Sequence, residues 1–542
     1  MKSRRANMPE EGNQQGPNYA AVAWKGLFIF LRMLHSLYDC IIDFFFGLYY
    51  NDTTRKHISN VDHPFLLESA SSIARKIRNG DLKSVDVINA CIARIAQVNG
   101  VINAVVDERF KDAIEEAKEA DRMIESGEWS KERLEKERPF HGVPISTKES
   151  TGIKGMRWTY GLMLRKNERA PADAEVILKM RRAGAIPFVL TNIPELNMWY
   201  ETRCNVYGQT SNPYDTNRTV GGSSGGESSL ITACGSPLGI GTDVGGSVRM
   251  PAYFCGIFGH KPSSGMISLQ GLTRKLEENT GPSMVVPGPL CRYAEDLLPT
   301  MKVLMRDSKV KLDLETKVDV KNLRIFYIED DCGDLKVSPL SSDQKEALKK
   351  SVKYMEELTG RTPKKLELPN WKYGYKLWRH MITEEPERLP YELTNRNGTV
   401  TWWWEVLRFF TGTSPYTLPS ILRLIDMQMP QANPQWVKDT IKSLLDDIKR
   451  EIGEDGILLY PSHPIPAFYH CSAHLRPWNF SYTAIINALK LPATQVPMGL
   501  NSKGLPLGVQ VIGNMYCDRM TIAVAQELEK AFGGWVPPFK TS

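Results

Sequence analysis

A layered α/β architecture is what the alternation of helix and strand patterns in this chain predicts. Residues 172–183 carry Val176, Ile177 and Met180 at helical spacing, Gly184 ends the run, and AIPFVLTN (185–192) follows as a strand. The same grammar returns late, with a strand near 493–497, another at Val509–Ile512, and a helix from Arg519 to Phe532. The chain has 542 residues, 42% hydrophobic and 24% charged, which is ordinary globular composition and enough for a large core.

Taken in order, residues 1–23 read as a flexible tail, basic through Lys2, Arg4 and Arg5 and punctuated by Pro9, Gly12, Gly16 and Pro17. Residues 24–50 are different: WKGLFIFLRMLHSLYDCIIDFFFGLYY has a wide apolar face and a polar stripe of Lys25, Arg32, Ser36, Asp39 and Asp43. Its length would span a bilayer, but each charge at mid-membrane costs roughly 2.5–3.5 kcal/mol. An anchor lying in the membrane interface avoids that cost, and a spanning helix with a paired seam stays open beside it. The competing reading is an amphipathic helix packed on the protein's own core. Residues 65–130 read as helices. Ile88, Cys91, Ile92 and Ile95 follow a capping Ser84, and Ala113, Ile114, Ala117, Ala120 and Ile124 repeat the spacing up to Gly127. VPIST (143–147) reads as a strand. The stretch 365–430 is helical in flavour and aromatic, with Trp371, Trp378, Trp402, Trp403, Trp404, Phe409 and Phe410, and suits a buried cluster, a hydrophobic pocket or a membrane-facing cap.

The charge balance excludes more than it assigns. A net charge of +6, from 68 basic and 62 acidic residues, is a weak field on a chain this long. There is no block of like charges, so nucleic acid is not an expected partner. Nine scattered cysteines without a C-x-x-C pair speak against a disulfide scaffold or a structural zinc site, and no motif calls for a cofactor or metal.

The chemistry is concentrated in 219–263, TVGGSSGGESSLITACGSPLGIGTDVGGSVRMPAYFCGIFGHKPS. Two Gly–Ser clusters flank an apolar strand candidate, PLGIGT. Neither is a Walker A or G-x-G-x-x-G loop, and no G-x-S-x-G elbow is present. Acyl transfer needs a nucleophile, a base and donors for an oxyanion. Glycine lets consecutive N–H groups converge, so Val244, Gly245 and Gly246 with Ser247 offer such a cradle beside a hydroxyl. No histidine sits near either cluster except His260. A lysine can serve as base where burial removes its charge. Lys148 ends the apolar strand of GVPISTKES, although a strand-end lysine is more commonly a solvated charge.

GGSSGG, DVGGSVRMP and the upstream GVPISTKE together resemble the amidase signature family. TNIPEL (191–196), YGQTSNPYD (207–215), GIFGHKPS (256–263), YPSHP (460–464) and LPATQVPMGLNSKGLPLGVQVIG (491–513) follow the family pattern in order, and the likeness spans 65–535. The resemblance implies an amidase domain over those residues, with a mixed, twisted central sheet surrounded by many helices. It implies a catalytic triad of Lys148, Ser223 and Ser247, with a cis peptide before Ser223, Ser247 as nucleophile, and Ser223 relaying its proton to neutral Lys148. Ser224 is expected to support the relay, and Asp243 and Arg249 to pair and hold the loop. Within the family the sequence is most similar to the fatty-acid amide hydrolases of the second type, on the apolar N-terminal segment, on Glu227 in GGSSGGE, and on MPAYFCGIFGHKPS and PGPLCRYAEDL (287–297). That likeness implies hydrolysis of long-chain primary amides and N-acylethanolamines, a lipid-like substrate that fits membrane attachment through the N-terminal segment; a homodimer, as in some relatives, stays open. The rival readings are a hydrolase of small amides or esters, a glutaminase-like subunit of a tRNA-dependent amidotransferase, and a catalytically dead membrane scaffold.

Overall fold

The computed structural model describes residues 19–51, 54–272, 283–308, 310, 312–384 and 389–540. Eleven strands form one mixed sheet. In chain order they are β1 (Val105–Glu108), β2 (Pro144–Lys148), β3 (Ile186–Thr191), β4 (Leu238–Asp243), β5 (Phe258–Lys261), β6 (Val286–Cys291), β7 (Arg324–Tyr327), β8 (Lys364–Lys365), β9 (Gly456–Pro461), β10 (Ala493–Leu500) and β11 (Pro506–Ile512). Across the sheet the order is β1-β3-β2-β4-β6-β5-β10-β11-β9-β7-β8. β2 lies parallel between β3 and β4. From β4 the strands run antiparallel through β6, β5, β10, β11 and β9. β7 and β8 close the far edge in parallel pairing.

Every residue of β2, β3, β4, β5, β6, β9 and β11 is buried. Strands covered on both faces read as unbroken apolar runs rather than alternating ones, which is how VPIST and AIPFVLTN look in the sequence. The helices Glu175–Arg182 and Gly225–Thr232 carry the crossovers from β2 to β3 and from β3 to β4. The loops that matter therefore gather beyond the C-terminal ends of β2 and β4, the usual place for a site in an open α/β sheet. Ser84 was expected as a cap but is the first residue of the helix Ser84–Ile102. A distant carboxylate does the capping instead: Asp121 accepts the N–H groups of Ser84 at 2.6 Å and Val85 at 3.0 Å. Ser84–Ile102 is also long and apolar enough to cross a membrane. It buries Val87, Ile88, Cys91, Ile95, Val98 and Ile102 in the main core, so this helix packs inside the body.

The N-terminal helix, Tyr19–Tyr49, corrects two expectations. Of the tail expected over 1–23, residues 1–18 lie outside the described residues, and the helix already includes 19–23, where the alanines of YAAVA favour it. Part of its polar stripe turns to the body instead of to water or headgroups, while Lys25 and Ser36 stay exposed. Arg32 pairs with Asp331 at 3.1 Å, and Asp39 and Asp43 pair with Arg476 at 2.7 and 2.8 Å. The helix is bolted to the body by its charges, and the apolar side points outward: Trp24 is 70% exposed and Phe44 and Phe45 62% each. Packing on the body is thus real but inverted, because among the described side chains of this helix Ile42 is the buried apolar one and Asp39 the buried acid.

The aromatic middle divides. Trp371 and Trp378 are buried, whereas Trp402–Phe410 is a surface helix with Trp403, Trp404, Leu407 and Phe410 exposed. All nine cysteines are unpaired, five of them buried.

Candidate active site

Lys148 is the last residue of β2 and is wholly buried. Its Nζ lies 2.8 Å from Ser223 Oγ and 2.9 Å from Thr242 Oγ1 on β4. Burial brings the Lys148 ammonium down to about 7, against the opposing charges of Asp243 and Glu227. Ser223 follows a cis peptide bond at Gly222–Ser223. A Cβ on Gly222 would lie 2.5 Å from the Trp199 carbonyl oxygen, so the chain passes there only as glycine.

Ser247 sits in the second cluster and is 6% exposed, the most accessible of the three. Its backbone carbonyl accepts the Ser224 N–H at 3.1 Å, which ties the two Gly–Ser loops together. The Ser224 hydroxyl donates to the Thr242 carbonyl at 3.4 Å. The structure therefore brings Lys148, Ser223, Ser224 and Ser247 into one locus. It joins the Lys148 and Ser223 side chains directly, and shows no hydrogen bond between the Ser223 and Ser247 hydroxyls.

The orientation of the 243–249 loop follows from where its carbonyls are held. Trp378 Nε1 donates to the Val244 carbonyl at 2.7 Å, Thr483 Oγ1 to the Gly245 carbonyl at 2.7 Å, and the Met250 N–H to the Gly246 carbonyl at 2.7 Å. In a trans peptide the next N–H points the opposite way. Gly245 N–H and Ser247 N–H are thereby turned away from those partners, and no protein acceptor takes either of them, or the Val244 N–H, among the described residues. Gly246 departs from expectation. Its N–H is donated to Asp243 Oδ1 at 2.7 Å, so it is not free for an oxyanion. Its φ of 120° and the 2.0 Å that would separate a Cβ from Thr483 Oγ1 make it the residue that shapes the turn. The free donors are those of Val244, Gly245 and Ser247.

Asp243 and Arg249 form the fully buried pair that braces this loop, with Nη2–Oδ1 and Nε–Oδ2 both 3.1 Å. Burial alone would raise the Asp243 carboxyl; the Arg249 guanidinium overrides it and holds the group well below the usual carboxylate range. Asp243 also accepts the Val248 N–H at 3.1 Å and Asn487 Nδ2 at 2.9 Å. Arg249 donates to Gln510 Oε1 and Asn487 Oδ1, each at 2.6 Å, and to the Thr483 carbonyl at 3.1 Å.

Comparison with known proteins fits this geometry. The Amidase family profile matches residues 86–522. The chain belongs to the amidase family. It is 42% identical over 491 residues to fatty-acid amide hydrolase 2-A of Danio rerio, covering 89% of this chain and 92% of that one. It is 41% identical over 491 residues, with the same coverage, to fatty-acid amide hydrolase 2 of Homo sapiens. A solved structure titled fatty acid amide hydrolase shares the fold at a TM-score of 0.68 and 21% identity, covering 89% of this chain and 87% of that one. This amidase is an amide hydrolase with the α/β fold of its family.

Several of the amidase's site contacts were not read from the sequence. Thr242, Trp378, Thr483, Asn487 and Gln510 come from four separate stretches. Gln510 left a trace, a polar residue between Val509 and Val511 in an otherwise apolar strand, and Thr483 and Asn487 are one helical turn apart on the face toward Arg249. Trp378 left none. Glu227 was noted only as a mark of likeness. It is fully buried in the helix that follows Ser223, and its carboxylate accepts Ser146 Oγ and Thr191 Oγ1 at 2.7 Å each. Burial raises it to about 7, while those hydroxyls and Lys148 pull it back.

Proposed function

We propose that this amidase hydrolyses long-chain fatty-acid amides, both primary amides and N-acylethanolamines, to fatty acid and amine through Lys148, Ser223 and Ser247. The observation that carries the chemistry is the wholly buried Lys148 Nζ, 2.8 Å from a serine hydroxyl and shifted to about 7 by burial. A neutral amine there takes the Ser223 proton while Ser223 takes the proton of Ser247, and Ser247 Oγ attacks the amide carbon. Closing the relay requires the Ser247 side chain to turn toward Ser223. The oxyanion of the tetrahedral adduct falls to the N–H groups of Val244, Gly245 and Ser247. The relay returns the proton to the leaving nitrogen and the C–N bond breaks. Water then attacks the Ser247 ester, gives one proton to the relay, and the acid leaves as Ser247 regains its hydroxyl proton.

The lipid-like substrate is favoured by two exposed apolar surfaces, the outer side of Tyr19–Tyr49 and the Trp402–Phe410 helix. Large apolar side chains exposed together on one helix mark a membrane or partner surface. A helix held to the body from Arg32 to Asp43 along its polar side presents only its other side to lipid, which is the interfacial arrangement. The test is fatty-acid release from oleamide and an N-acylethanolamine by the purified full chain, with Ser247→Ala as control. Turnover confined to short acyl amides would overturn the substrate, and turnover or fluorophosphonate labelling that survives in Ser247→Ala would overturn the nucleophile.

A further inference from the structure

We infer that the N-terminal helix is a positioning element of the active site, acting through Asp39, Asp43 and Arg32 on the segment that orients the oxyanion loop. The inference rests on the reading of the Ser247 loop given above, and goes beyond the helix's part as an anchor.

Two clamps hold the helix. At one, Arg476 has no side-chain exposure and donates to Asp39 Oδ1 at 2.7 Å, to the Asp39 carbonyl at 2.8 Å and to Asp43 Oδ1 at 2.8 Å. At the other, Arg32 donates to Asp331 Oδ1 at 3.1 Å and to the carbonyls of Asp334 at 3.2 Å and Val337 at 3.0 Å. Tyr38 adds a bond to the Leu475 carbonyl at 3.0 Å. A guanidinium as buried as that of Arg476 needs its carboxylates: without them it is an unpaired charge in the interior, and the backbone that carries it must move to rehydrate it.

Both clamps lead to the same residue. Ser338, beside Val337, exchanges two hydrogen bonds with Asn479: Ser338 N–H to Oδ1 and Asn479 Nδ2 to Ser338 Oγ, each 2.9 Å. Asn479 is three residues beyond Arg476 and is itself buried. Phe480 follows, packed edge-on against Trp378 with ring centroids 4.9 Å apart, and then the helix Ser481–Ala488. Trp378 and Thr483 are the side chains that hold the Val244 and Gly245 carbonyls. Asn487, on the same helix, braces Asp243 and Arg249. The helix that faces the membrane and the loop that faces the oxyanion are thus fastened to the two ends of one short, largely buried segment, residues 476–487. Releasing the first loosens what aims the second. Asp39, Asp43, Arg32 and Arg476 touch no substrate; they position groups that do.

The prediction is a loss in the chemical step on a substrate that needs no membrane. The full chain in detergent micelles is compared with Asp39→Asn/Asp43→Asn and, separately, with Arg32→Gln, on a water-soluble short-chain acyl p-nitroanilide. Rates are expressed per serine titrated by a fluorophosphonate, so that unfolded protein does not count. kcat is expected to fall about tenfold in each variant, less than the 10²–10³ of a deleted oxyanion donor because the donors are tilted and not removed. KM is expected to move less than threefold, and Asp39→Glu, which keeps the charge, is expected to keep kcat within threefold. A fall in kcat of less than threefold in the folded variants, or a loss carried by KM, overturns the inference. Should the double variant not fold, Arg32→Gln decides by the same numbers. Failure of the wild-type chain to label with the fluorophosphonate, with Ser247→Ala as reference, would count against the Ser247 reading itself and is distinguishable from both.

Discussion

Two lysines at the ends of two strands of the same sheet are equally buried, and only one of them can be a base. Lys148 ends β2 and Lys261 ends β5, and neither has any exposed surface. Burial brings each to about 7; for Lys261 the Arg249 charge adds to the effect and Asp243 and Asp518 oppose it, and for Lys148 Asp243 and Glu227 oppose it. The difference lies in the partners. Lys261 Nζ donates to the carbonyls of Pro262 at 2.9 Å and Leu491 at 2.8 Å. A carbonyl has no proton to give, so that amine fastens loops together. Lys148 is held by two hydroxyls, Ser223 and Thr242, and a hydroxyl can accept from an ammonium or donate to an amine. A depressed lysine is a candidate by its burial and a base by what surrounds it.

The sharpest way to break this comparison is to remove each amine in turn. Lys148→Ala is expected to lower kcat at pH 7 by on the order of 10²–10⁴, the usual range for a lost general base. The loss should shrink at high pH, and the rise of wild-type activity as pH passes upward through about 7 should vanish from the variant's profile. A variant that keeps the wild-type profile would place the base elsewhere. Gly246→Ala tests the other half of the site. A methyl 2.0 Å from Thr483 Oγ1 at a φ of 120° must shift the loop, so kcat should fall about 10²-fold. Acyl-enzyme accumulation in a burst experiment would separate this loss from one in substrate binding.

Lys261→Met should leave kcat within about threefold of wild type while altering stability. A lysine depressed in the native state binds fewer protons there than in the unfolded chain. Stability therefore climbs from about pH 7 toward the ordinary lysine value, and denaturant unfolding of Lys261→Met should show a flatter climb. A fall in kcat equal to that of Lys148→Ala would erase the distinction between the two sites. The smallest expected effect is that of Glu227→Gln. Its carboxylate favours the Lys148 ammonium, so neutralising it should shift the acidic limb of the pH–rate profile to lower pH, with kcat at the plateau little changed. A shift to higher pH would contradict that electrostatic role.

Much of the site was legible because its chemistry is local in sequence. The apolar run ending at Lys148 left its burial open, and the family resemblance singled it out; the two Gly–Ser clusters announce places where backbone must approach closely. The Asp243–Arg249 pair lies within one loop. Where sequence reasoning stopped short, the partner came from far along the chain. Gly246 N–H was expected at the oxyanion and is spent on Asp243, because Asp243 gathers the loop around itself. The polar stripe of the N-terminal helix was legible as a stripe, but its spacing is the same whether it meets water, headgroups or Arg476.

The sequence alone determined which residue types could do the chemistry and that strands and helices would alternate around them, since burial pattern, glycine placement and helical spacing are properties of short segments. Only the tertiary structure decided which buried lysine faces hydroxyls, which N–H groups stay free, and which face of the first helix meets the body. Each of those depends on a hydrogen-bond or ion-pair partner tens to hundreds of residues away, and the cost of leaving a buried polar group unpaired is what selects the arrangement.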